Sequence, residues 1–407
     1  MSSIKSEELF SKLANQSKAS SIREILKIIQ SSDVISLAGG MPDPVTFPVE
    51  ELKKITAQIL TRDSAQALQY SSTEGLLKLR EFLFRWLNLD SKKFGMNNIV
   101  ITSGSQQGLD LVSKALLDPE DIVIVELPSY LAALNAFRSY GAEMIGIPMD
   151  VEGMQMELLE DTLERLKNKS KKVKFIYTIS NFQNPAGVTM SLSRRKKILD
   201  IAQNYNLFIL EDNPYDKLRF EGESLPPIFS LDYEGRVINL GTFSKILCPG
   251  LRLAWISGNK EVIEKIVILK QATDLCTPIL NQLIASEYCS QGYIDKNIES
   301  NILIYKKKRD VMLQSLEKYF PAEASWTKPE GGFFVFVTLP EYFDTDEMLS
   351  EAVKEKVAYV SGSSFYANGK GKNTMRLSFC YPCEEDILEG IKRLGKVIYT
   401  KINNAPA

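Results

Sequence analysis

Lys245 stands in Thr242-Phe243-Ser244-Lys245, directly after the apolar run Val237–Leu240, which reads as a strand. Open α/β sheets hold ligands beyond the C-terminal ends of their strands. The amine is therefore either placed for chemistry or an ordinary loop lysine at the surface. Hydroxyls at Thr242 and Ser244, with Arg252 in the following Pro249-Gly250-Leu251-Arg252, favour an anion-anchored site. A second apolar run, Leu207-Phe208-Ile209-Leu210, ends in Glu211-Asp212 and then a turn carrying Tyr215. Capping that turn accounts for one carboxylate. Two acids at a sheet edge call for a counterion, and a protonated heteroaromatic nitrogen would supply one.

Three further stretches bear on the same chemistry. Thr102-Ser103-Gly104-Ser105-Gln106-Gln107-Gly108 joins a strand to a helix and sets small hydroxyls and free N–H groups at the positive helix end. It reads as a phosphate cradle or as a plainly capped helix start, and it is not the GxGxxG fingerprint. Asn181-Phe182-Gln183-Asn184-Pro185 follows the strand Val173–Ile179 and would present an amide at the same edge, although Asn-Pro is also a common turn start. Arg376, in the strand-like Thr374-Met375-Arg376-Leu377-Ser378-Phe379, must find an anion or reach solvent, and suits a carboxylate clamp. A strand-end lysine, a buried acid, a phosphate cradle with an arginine, a tyrosine, an amide and a second arginine make up the parts of a pyridoxal-phosphate site.

The elements that must position these residues alternate short β-branched runs with longer stretches of helical period, which predicts an α/β fold with a mostly parallel sheet. Strands are expected at Asn98–Thr102, Asp121–Glu126, Glu143–Pro148, Val173–Ile179, Leu207–Glu211, Val237–Gly241 and Leu253–Ser257, with helices at Ser105–Leu117 and Ser191–Asn204. Past residue 300 the pattern becomes a long charged helix, strands around Gly331–Leu339 and Thr374–Phe379, and a closing helix presenting Ile387, Leu388, Ile391, Leu394 and Ile398. That predicts a smaller α+β domain over 300–407, a large domain over 46–299, and a segment 1–45 that packs with the small domain. The segment holds a helix with Ile22, Ile25, Leu26 and Ile29 on one face, then the crossing loop Gly39-Gly40-Met41-Pro42-Asp43-Pro44. The basic run Lys306–Arg309 reads as a solvated helix face.

Composition narrows the function. The 407 residues carry Lys+Arg 49 against Asp+Glu 51, a net charge of −2, with 44% apolar and 25% charged residues, as in an ordinary globular protein with chain enough for two or three domains. No basic excess points to nucleic acid. The absence of histidine removes the Ser-His-Asp triad, HExxH zinc chemistry and the default general base. Cys380-Tyr-Pro-Cys383 has CxxC spacing but no second pair, so it reads as thiols without a metal. No window approaches the roughly 18 apolar residues of a membrane span. The polar start and the odd count of Cys 5 lead us to expect a reducing, cytoplasmic setting.

In order and spacing these motifs resemble the class I/II aminotransferases of fold type I, pyridoxal-phosphate enzymes, over nearly the whole chain. Ser-Leu-Ala-Gly-Gly-Met-Pro at 36–42, Leu-Gln-Tyr-Ser-Ser-Thr-Glu-Gly at 68–75, Asn-Pro-Ala-Gly at 184–187 and Tyr-Ala-Asn-Gly at 366–369 look most like the 2-aminoadipate and kynurenine aminotransferase subgroup. The resemblance implies that Lys245 forms the covalent link to pyridoxal 5'-phosphate and that Asp212 pairs with the ring nitrogen. Tyr215 and Asn184 would bond the ring oxygen, and Tyr130 would stack on the ring. Ser105, Gln106, Thr242, Ser244 and Arg252 would bind the phosphate, joined by Tyr70 of a second subunit, which implies a homodimer with shared active sites. Arg376, Asn184 and Gly40 would meet the substrate. Thr242 departs from the family's more usual Ser, and Cys248 from its small non-thiol residue; Cys248 reads as a packed thiol.

The expected reaction is ping-pong transfer of an α-amino group to a 2-oxo acid such as 2-oxoglutarate, with Lys245 as anchor and then acid/base. Donor choice hangs on Arg23. Either it meets a distal carboxylate, favouring 2-aminoadipate and glutamate, or it is an exposed helix arginine paired with Glu24. A broad aromatic and branched-chain enzyme is the alternative within the class. A carbon–sulfur β-lyase would use the same Lys245, Asp212 and Arg376. A pyridoxal-phosphate-sensing regulator would need a DNA-binding domain, for which residues 1–35 are too short.

Overall fold

The computed structural model describes residues 9–16, 33–89 and 94–403. Strands are numbered along the chain: β1 Ile35–Ser36, β2 Ile99–Thr102, β3 Ile122–Leu127, β4 Glu143–Asp150, β5 Gly153–Met154, β6 Val173–Thr178, β7 Phe208–Asp212, β8 Val237–Thr242 and β9 Ala254–Ser257. The second group is β10 Ser325–Trp326, β11 Phe334–Thr338, β12 Val357–Ala358, β13 Val360–Ser361 and β14 Thr374–Ser378.

Strands β2 to β9 form an eight-stranded sheet in the order β2-β9-β8-β7-β6-β3-β4-β5. Neighbours β8, β7, β6, β3 and β4 run parallel, while β9 and β5 are antiparallel to their partners. These strands are continuous apolar runs, not alternating ones, because helices cover both faces. On one side Val123, Val125, Tyr177, Leu210 and Leu240 pack with Leu109, Val112, Leu134 and Ile266 of the helices Ser105–Leu116, Leu131–Arg138 and Lys260–Gln271. On the other, Ile122, Ile124, Ile176 and Ile209 pack with Leu159, Leu163, Ile198 and Ile201 of the helices Met156–Asn168 and Leu192–Asn204. Successive strand residues thus feed opposite cores, as pleating requires. Each expected strand of this sheet lies within a residue or two of its observed span.

A four-stranded antiparallel sheet, β10-β11-β14-β13, lies with the long helix Tyr293–Tyr319 and the closing helix Glu384–Asn403. The early segment joins this part of the molecule: β1 pairs parallel with β12, and Ser378 N–H donates to Leu37 O at 2.8 Å.

Two expectations are corrected. Leu388 is 42% exposed, because Ile387, Ile391, Leu394 and Ile398 already define the inward stripe of its helix and Leu388 lies a step of about 100° away. The run Lys306–Arg309 is not a solvated face throughout, since Lys308 and Arg309 are buried. Lys308 pairs with Asp43 and donates to Cys380 O, and Arg309 bonds Glu221 and Pro329 O. The expected helix bearing Ile22, Ile25, Leu26 and Ile29 lies outside the described residues.

Gly241, in fully buried β8, sits where any Cβ would overlap the Trp255 ring of β9, which also packs edge-on against Phe243. Gly241→Ala is expected to destabilise the fold by about 2 kcal/mol through overpacking. Urea unfolding checks this, and an unchanged midpoint would show that the ring can swing aside.

Candidate active site

The C-terminal ends of β2, β3, β6, β7 and β8 share one edge of the sheet, and the turns beyond them wall a cavity of about 370 Å³. The expected Gly40, Ser105, Gln106, Tyr130, Asn184 and Asp212 line it, as do the expected Tyr215, Thr242, Ser244, Lys245, Arg252 and Arg376. Tyr70 does not; it is 77% exposed on the surface. Arg23 lies outside the described residues.

Lys245 follows β8, and its Nζ donates to Gly40 O at 3.0 Å. Burial pushes the amine down to about 8, helped by repulsion from Arg376 and Arg252 and opposed by Cys380. Asp212 ends β7; Tyr177 donates to its Oδ2 at 3.1 Å, while Oδ1 is buried without a partner. Burial raises this acid to about 7, against the pull of the Tyr177 hydroxyl. Its neighbour Glu211 faces the other way, accepting from Ser180 Oγ and from Ile228 and Phe229 N–H. Neither acid caps the following turn: Glu211 is satisfied by Ser180 and the N–H groups at 228 and 229, which leaves Asp212 to the cavity.

Arg376 reaches in from β14. Its Nη1 donates to Asn184 Oδ1 at 2.9 Å and its Nη2 to Ala38 O at 2.7 Å, while Nε is buried without a partner. The guanidinium lies 4.1 Å from the Phe334 ring centroid and 5.0 Å from that of Phe365. Burial lowers its pKa to about 10.

The anion turn lies between β2 and the helix Ser105–Leu116. Gly104 has φ +84°, and a Cβ there would overlap the Arg252 guanidinium, so glycine allows the cation to lie against the turn. Arg252 itself is left-handed at φ 52°. Thr242 Oγ1 donates to Ser244 Oγ at 3.0 Å, gathering two hydroxyls beside it. The first N–H groups of the helix have no partners within it and point toward this turn. A ring with a basic nitrogen, a carbonyl carbon and a phosphate fits these donors: an unpartnered buried carboxylate oxygen, a depressed amine and an N–H-rich turn with an arginine.

The turns are themselves tied together. Glu126 of β3 is buried and accepts from Thr178 Oγ1 at 2.5 Å, Ile179 N–H at 3.2 Å and Gln183 Nε2 at 3.0 Å. Gln183 Nε2 also donates to Pro128 O at 2.9 Å, so this pair couples the turn bearing Tyr130 to the one bearing Asn184. Burial raises Glu126 to about 7 despite these bonds. Fully buried Arg195 holds the second turn from behind through Ser180 O, Asn181 Oδ1 and Met190 O. Sequence reasoning missed this support and also the wall residues Ile179, Pro214, Pro249 and Phe334. Gly40 was the available signal for Phe334, because a Cβ there would overlap the Phe334 ring. Of the CxxC pair, Cys380 is buried, with its Sγ 3.1 Å from Ser378 Oγ, and Cys383 is exposed. Cys248 is partly buried against the core.

A covered parallel sheet with a lysine, an acid and an anion turn at one edge, and a clamp reaching over from a second sheet, is the layout of a fold type I enzyme. Residues 32–394 match the family model described as aminotransferase class I and II, and the chain belongs to that family. It is an aminotransferase. The aromatic-amino-acid aminotransferase 1 of Thermococcus litoralis is 52% identical over 396 residues, spanning 96% of this chain and 94% of its own. A Pyrococcus horikoshii kynurenine aminotransferase, solved in complex with PMP, is 49% identical with a TM-score of 0.95, covering 98% of this chain and 99% of its own. The α-aminoadipate aminotransferase of Thermus thermophilus, solved with N-(5'-phosphopyridoxyl)-L-leucine, is 38% identical with a TM-score of 0.92, covering 99% of this chain and 100% of its own.

An acid whose folded pKa is raised holds its proton more tightly folded than unfolded, so the stability it contributes is full below the unfolded value and is lost as pH rises through the folded one. For Asp212 the window runs from 3.8 to about 7. In protein purified free of cofactor, Asp212→Asn should flatten the fall in stability across that window, Glu126 supplying the remaining slope. Urea midpoints against pH check this; a variant whose slope parallels the wild type would refute the buried, unpaired state of Asp212.

Proposed function

We propose that the protein transfers the α-amino group of amino acids, aromatic ones foremost, to 2-oxo acids such as 2-oxoglutarate, using pyridoxal 5'-phosphate. The observation that carries the reading is the cavity wall: among the described lining residues the cations are Lys245, Arg252 and Arg376, and the remaining wall includes Ile179, Tyr130, Pro214, Tyr215 and Phe334. With Arg252 at the anion turn and Arg376 for the α-carboxylate, the described wall holds no further arginine for a second carboxylate, and Phe334 offers a donor side chain an aromatic surface. The aromatic and kynurenine relatives, at 52% and 49% identity, support the same choice.

When bound, pyridoxal phosphate supplies an electron-poor ring that takes up the electron pair left at Cα. Asp212 would hold the ring nitrogen protonated, the turn at 104–106 with Thr242, Ser244 and Arg252 would grip the phosphate, and Asn184 and Tyr215 would meet the ring oxygen. Tyr130 would lie against the ring. Arg376, braced by Asn184 and Ala38 O, fixes the carboxylate and so the direction of the Cα–H bond. Lys245 Nζ, its pKa drawn down to about 8, would hold the cofactor and, as a free amine, would move the Cα proton. Tyr70, exposed on this chain, would serve the site of a second copy, giving a homodimer with shared sites. Among the described residues no helix is long and apolar enough to cross a membrane, and we propose a cytoplasmic enzyme.

A second reading keeps 2-aminoadipate and glutamate as lead donors, with Arg23 meeting the distal carboxylate; the α-aminoadipate relative at 38% identity favours it.

Absorbance of the loaded protein, followed after separate additions of phenylalanine, tyrosine, leucine, methionine, 2-aminoadipate and glutamate, decides between them. The cofactor band should fall fastest with phenylalanine and tyrosine; acidic donors leading would transfer the assignment to the second reading. Lys245→Ala should lose the band and at least about 100-fold in turnover, while its melting profile stays cooperative. A band that persists in that variant would refute Lys245 as the anchor.

A further inference from the structure

Behind the anion turn stands an ion pair that the chemistry above does not use. The Lys270 side chain is fully buried in the last turn of the helix Lys260–Gln271, and its Nζ lies 2.7 Å from Asp274 Oδ1. Asp274 Oδ2 accepts from Gln107 Nε2 at 2.7 Å and from Ser103 Oγ at 3.0 Å. Gln107 completes the circuit, its Oε1 accepting from Ser103 N–H at 2.7 Å. Ser103 and Gln107 flank Gly104, Ser105 and Gln106, so the network clasps both ends of the turn and touches nothing in the cavity.

We propose that Asp274, held by Lys270, is a positioning residue for the cofactor phosphate. The Gln107 amide has a donor end and an acceptor end. A carboxylate offers only acceptors, so Asp274 must face the NH₂ end; the carbonyl end then points at Ser103 N–H and engages it. With Ser103 N–H occupied, the turn is fixed in the shape that leaves the next donors, at Ser105 and Gln106, directed at one anion beside Arg252. Without Asp274 the NH₂ end of Gln107 loses its acceptor, and Ser103 N–H alone is left to orient the amide. Charge balance explains the lysine, since a lone carboxylate behind a phosphate site would repel the ligand and Lys270 neutralises it. Burial works against the Asp274 charge, yet the bonds from Lys270, Gln107 and Ser103 keep its pKa below the ordinary range.

The inference rests on reading residues 104–106 as the phosphate site, and its test separates the two. The full chain, freed of cofactor, is titrated with pyridoxal phosphate and with pyridoxal, which lacks the phosphate, and binding is followed by absorbance. Two variants are compared with wild type: Asp274→Asn, and Gln107→Leu, which leaves the Lys270–Asp274 pair intact in case the first folds poorly. Losing one hydrogen bond to a charged group corresponds to about tenfold in affinity. Both variants should lose about that much for pyridoxal phosphate while pyridoxal binds within about twofold of wild type. Equal losses for both ligands, or no loss for either, would overturn the positioning role. Wild-type protein that fails to prefer pyridoxal phosphate over pyridoxal would instead overturn the phosphate site itself.

Discussion

Lys245, Asp212 and Arg376 share one cavity, and burial there works against the charge on each of them. The amine is drawn down to about 8, the acid up to about 7 and the guanidinium down to about 10. In water the same groups would keep their ordinary charges. Holding them out of water, with Asp212 Oδ1 and Arg376 Nε left unpartnered, is tolerable only if the surroundings cannot relax to solvate or pair them. Much of the architecture serves that condition. Fully covered strands fix the residues at their ends, a second sheet brings Arg376 over the top, and the segment at 38–40 supplies backbone carbonyls to both cations.

The buried charged groups around the site fall into two kinds, distinguished by whether their hydrogen-bonding capacity is filled. Glu211 receives two backbone N–H groups and a serine hydroxyl, and fully buried Arg195 has several acceptors. These groups are satisfied within the fold, and they hold turns. Asp212 and Arg376 each keep an atom free, and they face the cavity. Glu126 is intermediate. Its oxygens are engaged, yet burial still raises its pKa, because a hydroxyl, an amide and an N–H do not replace a counter-cation. The same carboxyl chemistry thus gives a brace or a functional group according to whether its partners are complete.

That distinction also explains how far the site could be read from the sequence. Lys245, Asp212 and Asn184 were legible because each follows a β-branched run and begins a polar turn, a local pattern with a known place in an open sheet. The strand pattern alone did not separate Glu211 from Asp212, and only the family resemblance chose Asp212, since the choice depends on strand pleat and on the helix at 228–231 meeting one acid and not the other. Phe334 reads as a core residue of β11, and only the packing of Arg376 over its ring makes it part of the site. Lys308, Arg309 and Asp274 look like surface charges in sequence; their setting is decided by partners such as Asp43, Glu221 and Ser103, distant along the chain. The sheet was read nearly strand for strand because apolar periodicity is a local property, whereas ion pairing is a tertiary one.

The clamp shows why this family can share a site yet differ in donor. Arg376 belongs to β14, Asn184 to the turn after β6 and Ala38 to the segment after β1, so an α-carboxylate held there, as proposed, would be read at a junction of three segments anchored by three sheets. Every α-amino acid offers that carboxylate and the same Cα–H bond, and the braced geometry accepts both without regard to the side chain. On the proposed reading the side chain would meet other wall residues, such as Phe334 and Pro214, which take part in none of the hydrogen bonds that hold Arg376. Reaction type would then be set by groups that cannot move independently, and donor preference by groups that can. This fits relatives named for aromatic amino acids, kynurenine and α-aminoadipate, which all match nearly the full length of the chain.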